Sequence, residues 1–178
     1  MQIIRIALAL LCLIILGTRP MFGHTFNSDK LGFAADFPFQ PTVGKAAASS
    51  VDKDGDVVSN AVIVTSKVPG IYVTMVTVDF YMKPSRLDAT AALTRTRDDF
   101  LKGLGATVIS SDPGMSGGYR ALFFKYDTAD HSMAGNGVIV VVPHKKPRVY
   151  LVVTMHRPQA SADNIAALES FITSFHPR

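Results

Sequence analysis

Ile71-Tyr-Val-Thr-Met-Val-Thr-Val-Asp-Phe-Tyr-Met82 is the stretch on which the fold turns. Tyr72, Thr74, Val76, Val78, Phe80 and Met82 fall on one face by the period-two rule of a strand, with Ile71, Val73 and Met75 on the other. Apolar residues on both faces predict a central strand that is covered on both sides for part of its length. Pro84 ends it, because proline cannot donate to a ladder.

Working outward, Val57 to Val68 reads as a partner strand, joined through a turn at Pro69-Gly70. Upstream, Phe33, Ala35 and Phe37 alternate with Ala34 and Asp36 as in a half-buried strand, which Pro38 and Pro41 terminate. Residues 43 to 56 are small, polar and turn-prone, and close on the hairpin signal Asp54-Gly55. Downstream, Asp88 to Gly105 changes to helical spacing. Ala89, Ala92, Leu93, Thr96, Phe100 and Leu104 form one stripe, and Gly103 and Gly105 supply the stop. Strands are then predicted at about Thr107 to Ser110, Tyr119 to Tyr126, Gly137 to Val142 and Val149 to His156. A last helix opens on Ser161 as its N-cap and carries Leu168, Phe171, Ile172 and Phe175 on one stripe. Most strand connections are too short for parallel crossovers. The expected class is therefore α+β, a mainly antiparallel sheet with two helices packed on it.

The N-terminus predicts export. Arg5 precedes the 11-residue apolar run Ile6 to Leu16, which ends at Gly17-Thr-Arg-Pro20. The run is well short of the ~20 residues that span a bilayer as a helix. Residues 1–23 are read as a signal peptide and 24–178 as one domain. The cleavage point is poorly defined, because Ile15 and Met21 occupy third-last positions where small residues are wanted. An uncleaved N-terminal anchor is the alternative. Cys12 follows Leu11 rather than a small residue, so it belongs to the apolar run and not to a lipidation site. It is also the single cysteine, so the mature domain holds itself together without disulfides. Roughly 150 residues suffice for that, burying ~70% of the unfolded surface. Without Arg5 and Arg19 the formal charge drops from +4 to +2, with 16 basic and 14 acidic residues. Nothing in that balance calls for nucleic acid, and the expected location is periplasmic or secreted.

Four patterns in the chain bear on chemistry. Gly114-Met-Ser116-Gly-Gly118 matches G-x-S-x-G, with Asp127 or Asp130 and His144 or His156 following in triad order. That motif works at a strand-to-helix turn, whereas a strand follows here. Asp52-Lys-Asp54-Gly-Asp56 starts like a calcium loop, but Val57 and Ile63 stand where glycine and glutamate are required. His24 would chelate copper through its amine and ring if cleavage exposed it, and otherwise lies in an N-terminal spacer. His144-Lys-Lys-Pro-Arg148 is the densest basic cluster, and Lys145, Lys146 and Arg148 are the candidate partner-binding residues. No catalytic residue, metal ligand set or cofactor is expected.

Leu31-Gly-Phe-Ala-Ala-Asp-Phe-Pro-Phe-Gln-Pro41 resembles the F-x-x-x-F-P-x-x-P opening strand of bacterial PsbP-like (Mog-type) domains. Gly117-Gly-Tyr-Arg120 with its Phe-rich continuation resembles their turn and central strand. Arg148-Val-Tyr-Leu-Val-Val and Ala167-Leu-Glu-Ser-Phe-Ile-Thr-Ser-Phe175 are similar to their last strand and closing F-x-x-S-F helix end. The resemblance implies an α/β/α sandwich and a non-enzymatic accessory or interaction module. It carries over no catalytic residue. Phe39 departs from the pattern, standing where the family usually has glycine. The resulting expectation is an exported binding module for a protein or anionic envelope ligand. The alternatives are a small hydrolase using Ser116 and an envelope lipid or copper binder.

Overall fold

A computed structural model describes residues 23–45, 58–68, 72–81, 88–143 and 147–178. Its strands are β1 (His24–Ser28), β2 (Phe33–Phe37), β3 (Thr42–Lys45), β4 (Val58–Val68), β5 (Tyr72–Tyr81), β6 (Ala106–Ser116), β7 (Tyr119–Thr128), β8 (Ala134–Val142), β9 (Arg148–His156) and β10 (His176–Pro177). The helices are α1 (Ala89–Leu104), between β5 and β6, and α2 (Ala162–Ser174), between β9 and β10.

Seven strands form one sheet in the order β3-β4-β5-β9-β8-β7-β6, and β1-β2-β10 form a second, small sheet. Every neighbouring pair is antiparallel. The class is α+β, as the alternation and the short connections predicted. β5 lies third in the large sheet, and both of its faces are used. Tyr72, Thr74, Val76 and Val78 are buried on one side, while Met75 packs on the other.

Three layers result. On one face of the large sheet α1 buries Ala92, Leu93 and Leu101 against Phe124, Tyr126, Ile139, Val141, Leu151 and Val153. Asp88 caps this helix by accepting hydrogen bonds from the Thr90 and Ala91 backbone N–H, and Gly105 ends it at φ 66°. Leu101, absent from the expected stripe, is buried at its edge. On the opposite face α2 and the small sheet close the larger core, with Phe33, Phe37, Phe171, Phe175, Tyr150 and Val152 at its centre. Ser161 caps α2 by accepting from the Asn164 N–H.

Four features differ from the expectation, for one physical reason. His24–Ser28 is a strand and not a spacer, with Phe26 packed on Phe33 and Phe37. Residues 43–45, part of the stretch read as turn-prone, belong to the edge strand β3. The strand expected at Thr107 to Ser110 continues to Ser116 past an irregularity between Val108 and Ser110. The second sheet, with the two-residue strand β10, has no sequence signal of its own. β1, β3 and β6 are edges, whose backbone is held by one neighbour while their side chains stay largely in water, so period-two patterning is lost. The expected turns at Asp54-Gly55 and Pro69-Gly70 lie outside the described residues.

Candidate functional site

α2 packs on β2, β8 and β9 and stops short of the outer strands. The gap between helix and sheet is a cleft of about 310 Å³. Phe123 of β7 and Ile172 of α2, both half-buried, supply its apolar walls. Ser110 and Asp112 of β6, Lys125 of β7, and Glu169 and Thr173 of α2 supply polar edges. The sequence reading did not find this cleft. Its residues come from four separate elements, and only the α2 stripe was visible in the chain.

Of the basic candidates, Arg148 lies at one end of the sheet, where β8 and β9 pair through Val142 and Arg148. Lys145 and Lys146 fall outside the described residues. Arg148 is partly buried, on the α2 face. Its guanidinium carbon lies 5.6 Å from the centre of the Phe80 ring, and Nη1 donates to the Tyr150 hydroxyl at 3.3 Å. Tyr150 is itself fully buried and lies 2.9 Å from the carbonyl oxygens of both Leu31 and Gly32. Burial raises the Tyr150 pKa above its ordinary value. Gly32, at φ 69°, approaches so closely that a Cβ there would collide with Arg148 Nη1.

Ser116 closes the β6–β7 hairpin opposite Tyr119, around Gly117 and Gly118 at φ 56° and 82°. Two positive φ values in a two-residue loop make a strand–turn–strand, the geometry expected from Tyr119 onward. Ser116 Oγ lies 3.5 Å from the Phe175 carbonyl. The register Thr107↔Asp127 sets Asp127 nine residues along β6 from Ser116, roughly 30 Å at the usual strand rise. His156 sits at that same far end, opposite Tyr72 and Ala134. The serine and these acid and histidine candidates are therefore held apart. Asp127 instead bonds His131, and Asp130 accepts from Thr128 and Ser132.

His24 pairs with Phe37 at the start of β1. Among the described residues no group of three His, Cys, Asp or Glu side chains could hold a metal ion, and no helix is long and apolar enough to cross a membrane. His144 and the Asp52–Asp56 loop lie outside the described residues. Phe39, where the family pattern has glycine, leans on Tyr72 with ring centres 6.1 Å apart. Its backbone N–H bonds the Ser66 hydroxyl.

No protein-family model and no curated protein sequence matches the chain. Solved structures do. The cyanobacterial PsbP protein CyanoP of Synechocystis sp. PCC 6803 superposes with a TM-score of 0.57, covering 91% of this chain and 96% of its own, at 14% identity. LpqN, described as involved in cell envelope biogenesis of Mycobacterium tuberculosis, superposes with a TM-score of 0.50, covering 78% of this chain and 84% of its own, also at 14% identity. At that identity the likeness is one of fold. The fold is the PsbP-like sandwich that the motifs around Phe33–Pro41 and Phe171–Phe175 implied.

Proposed function

We propose that the chain is an exported, non-catalytic binding module of the cell envelope. The observation that carries the reading is the cleft between α2 and β6–β8. It is a preformed concave surface with apolar walls and a few polar groups at its edge, the usual build of a ligand or peptide seat. The apolar N-terminal run supports export. The shared fold with LpqN, a protein described as acting in envelope biogenesis, supports the setting. The occupant is a protein or an anionic envelope ligand, and the connection bearing Lys145, Lys146 and Arg148 is proposed as its second contact.

The test is affinity capture of the tagged protein from its own envelope, run beside a Thr173→Arg variant. Thr173 is exposed and lines the cleft, so the long cationic side chain fills the space without opening the core. Loss of the captured component in the variant, with unchanged thermal unfolding, is the expected result. Equal capture by both proteins removes the cleft from the account. A second arm addresses the hydrolase alternative. Ester hydrolysis by the wild type that disappears in Ser116→Ala would overturn the non-catalytic reading.

A further inference from the structure

We propose that the cleft between α2 and the β6–β7 edge seats an arginine side chain presented by a partner protein. The inference rests on the cleft reading above and assigns that cleft a protein rather than an anionic ligand. Its basis is the placement of charge around an aromatic floor. Arg97 of α1 donates to the Ser111 hydroxyl at 2.8 Å, so Ser111 faces α1 and Asp112, the next residue of the strand, faces α2. Asp112 pairs directly with Phe123, which packs on the core of that same side. Cross-strand partners stand side by side, with Cβ atoms about 5 Å apart. The carboxylate therefore lies beside the Phe123 ring on one lip of the cleft. A Cβ on Gly114 would come within 2.9 Å of that ring, so glycine there lets Phe123 lie across β6 as a floor.

The opposite lip is helical. Glu169, Ile172 and Thr173 follow the i, i+3, i+4 spacing that sets them on one stripe of α2, and all three line the cleft. Asp112 and Glu169 are both exposed, so each carboxylate is open to a ligand. Two acids on facing lips with an aromatic ring between them match a planar cation that stacks on the ring and reaches sideways through several N–H groups. Arginine has that shape, whereas lysine offers one compact, strongly hydrated charge. The methylene stem of the arginine rests on Ile172, as long cationic side chains do on apolar surface. Lys125, two residues from Phe123 on the same face and opposite Ser110, ends the acidic part of the cleft. Its charge opposes the bound guanidinium, which gives the test a sign.

The test is an NMR titration of the ¹⁵N-labelled protein, read at the Asp112, Phe123 and Thr173 amides. The probe is acetyl-Leu-Arg-amide, and its citrulline, lysine and glutamate counterparts are the comparisons. Citrulline keeps the shape of arginine without its charge. The expected result is a saturable shift with the arginine peptide, which binds at least about tenfold tighter than the citrulline peptide, through charge-assisted hydrogen bonds and stacking together. The lysine peptide should fall between the two. Asp112→Asn and Glu169→Gln, both at exposed positions, should each weaken binding about threefold, as solvated charge contacts do. Lys125→Gln should tighten it. Absence of a saturable response to the arginine peptide, equal binding of the citrulline peptide, or tighter binding of the glutamate peptide overturns the inference. If that happens while Thr173→Arg still loses its captured component, the cleft remains a seat and only its occupant is wrong. The same outcome with capture unchanged in Thr173→Arg removes cleft and occupant together.

Discussion

Truncating Phe171 tests the packing of α2 on the sheet directly. The residue is fully buried, its ring centre lies 4.8 Å from that of Phe37, and it sits in the core with Phe33, Val152 and Phe175. A buried aromatic side chain removes about 150–250 Å² from water, and at ~25 cal/mol per Å² that is about 4–6 kcal/mol. Alanine keeps the Cβ share, and the space left is walled by a helix and two sheets that cannot collapse into it. Phe171→Ala should therefore cost about 3–5 kcal/mol, the usual range for such a truncation. Urea unfolding should show this as a lower midpoint at unchanged slope. Calorimetry should show a Tm lower by roughly 10–15 °C. Phe37→Ala and the double variant complete a cycle whose coupling should be about 0.5–1.5 kcal/mol. A loss below about 1 kcal/mol for Phe171→Ala would refute the reasoning, because it would place the ring in solvent.

Two further perturbations follow from the edge of the large sheet and from the β7–β8 turn. Ser116 and Tyr119 close the hairpin as a bonded pair, so alternation turns the nitrogen of Pro113 outward along exposed β6. Val108, Ile109 and Met115 are exposed on this strand, and Pro113→Val restores a free donor there. Sedimentation velocity should then show stronger concentration-dependent self-association than in the wild type, and an unchanged association state would discard Pro113 as the guard of that edge. His131 has its pKa raised by its hydrogen bond to the Asp127 carboxylate. The stabilisation is complete below the unfolded value of about 6.5 and disappears as pH rises through the higher folded value. An NMR titration of the His131 ring should move back toward the ordinary range in Asp127→Asn, and an unchanged curve would refute the pairing. In the same turn Asp130 is held down to about 2 by Thr128 and Ser132, so its contribution has the opposite sense. It is present above the unfolded value of about 3.9 and lost as the solution is acidified towards pH 2.

What could be read from the chain follows burial. β2 announces itself because Phe33, Ala35 and Phe37 are each buried while Ala34 and Asp36 are not, so environment and sequence alternate together. Asp88, Gly105 and Ser161 mark helix ends because their side chains or backbone angles meet a local need. β1 carries one anchoring aromatic, Phe26, and β3 is exposed throughout, so neither needed a pattern. The candidate sites were harder still. The cleft joins Phe123 to Ile172, and the Arg148 seat requires Gly32, a residue from another layer. Such meetings depend on how sheet and helix stack, which no local spacing encodes. The basic character of Arg148 was visible in the sequence; its stacking on Phe80 was not.

The small sheet sets an order on assembly. β2 is flanked by β1 on one side and by β10 on the other, and Phe33 packs on Phe175 with ring centres 5.5 Å apart. During synthesis Phe33 and Phe37 emerge first, while residues 175–177 are still far from the ribosome exit. Contacts this distant in the chain form slowly, because the intervening loop must be closed before anything rewards it. The aromatic layer therefore stays unsealed until residues 175–177 emerge, open to chaperones and to non-native partners alike. A layer that shuts only when residues 175–177 arrive leaves the chain threadable until then.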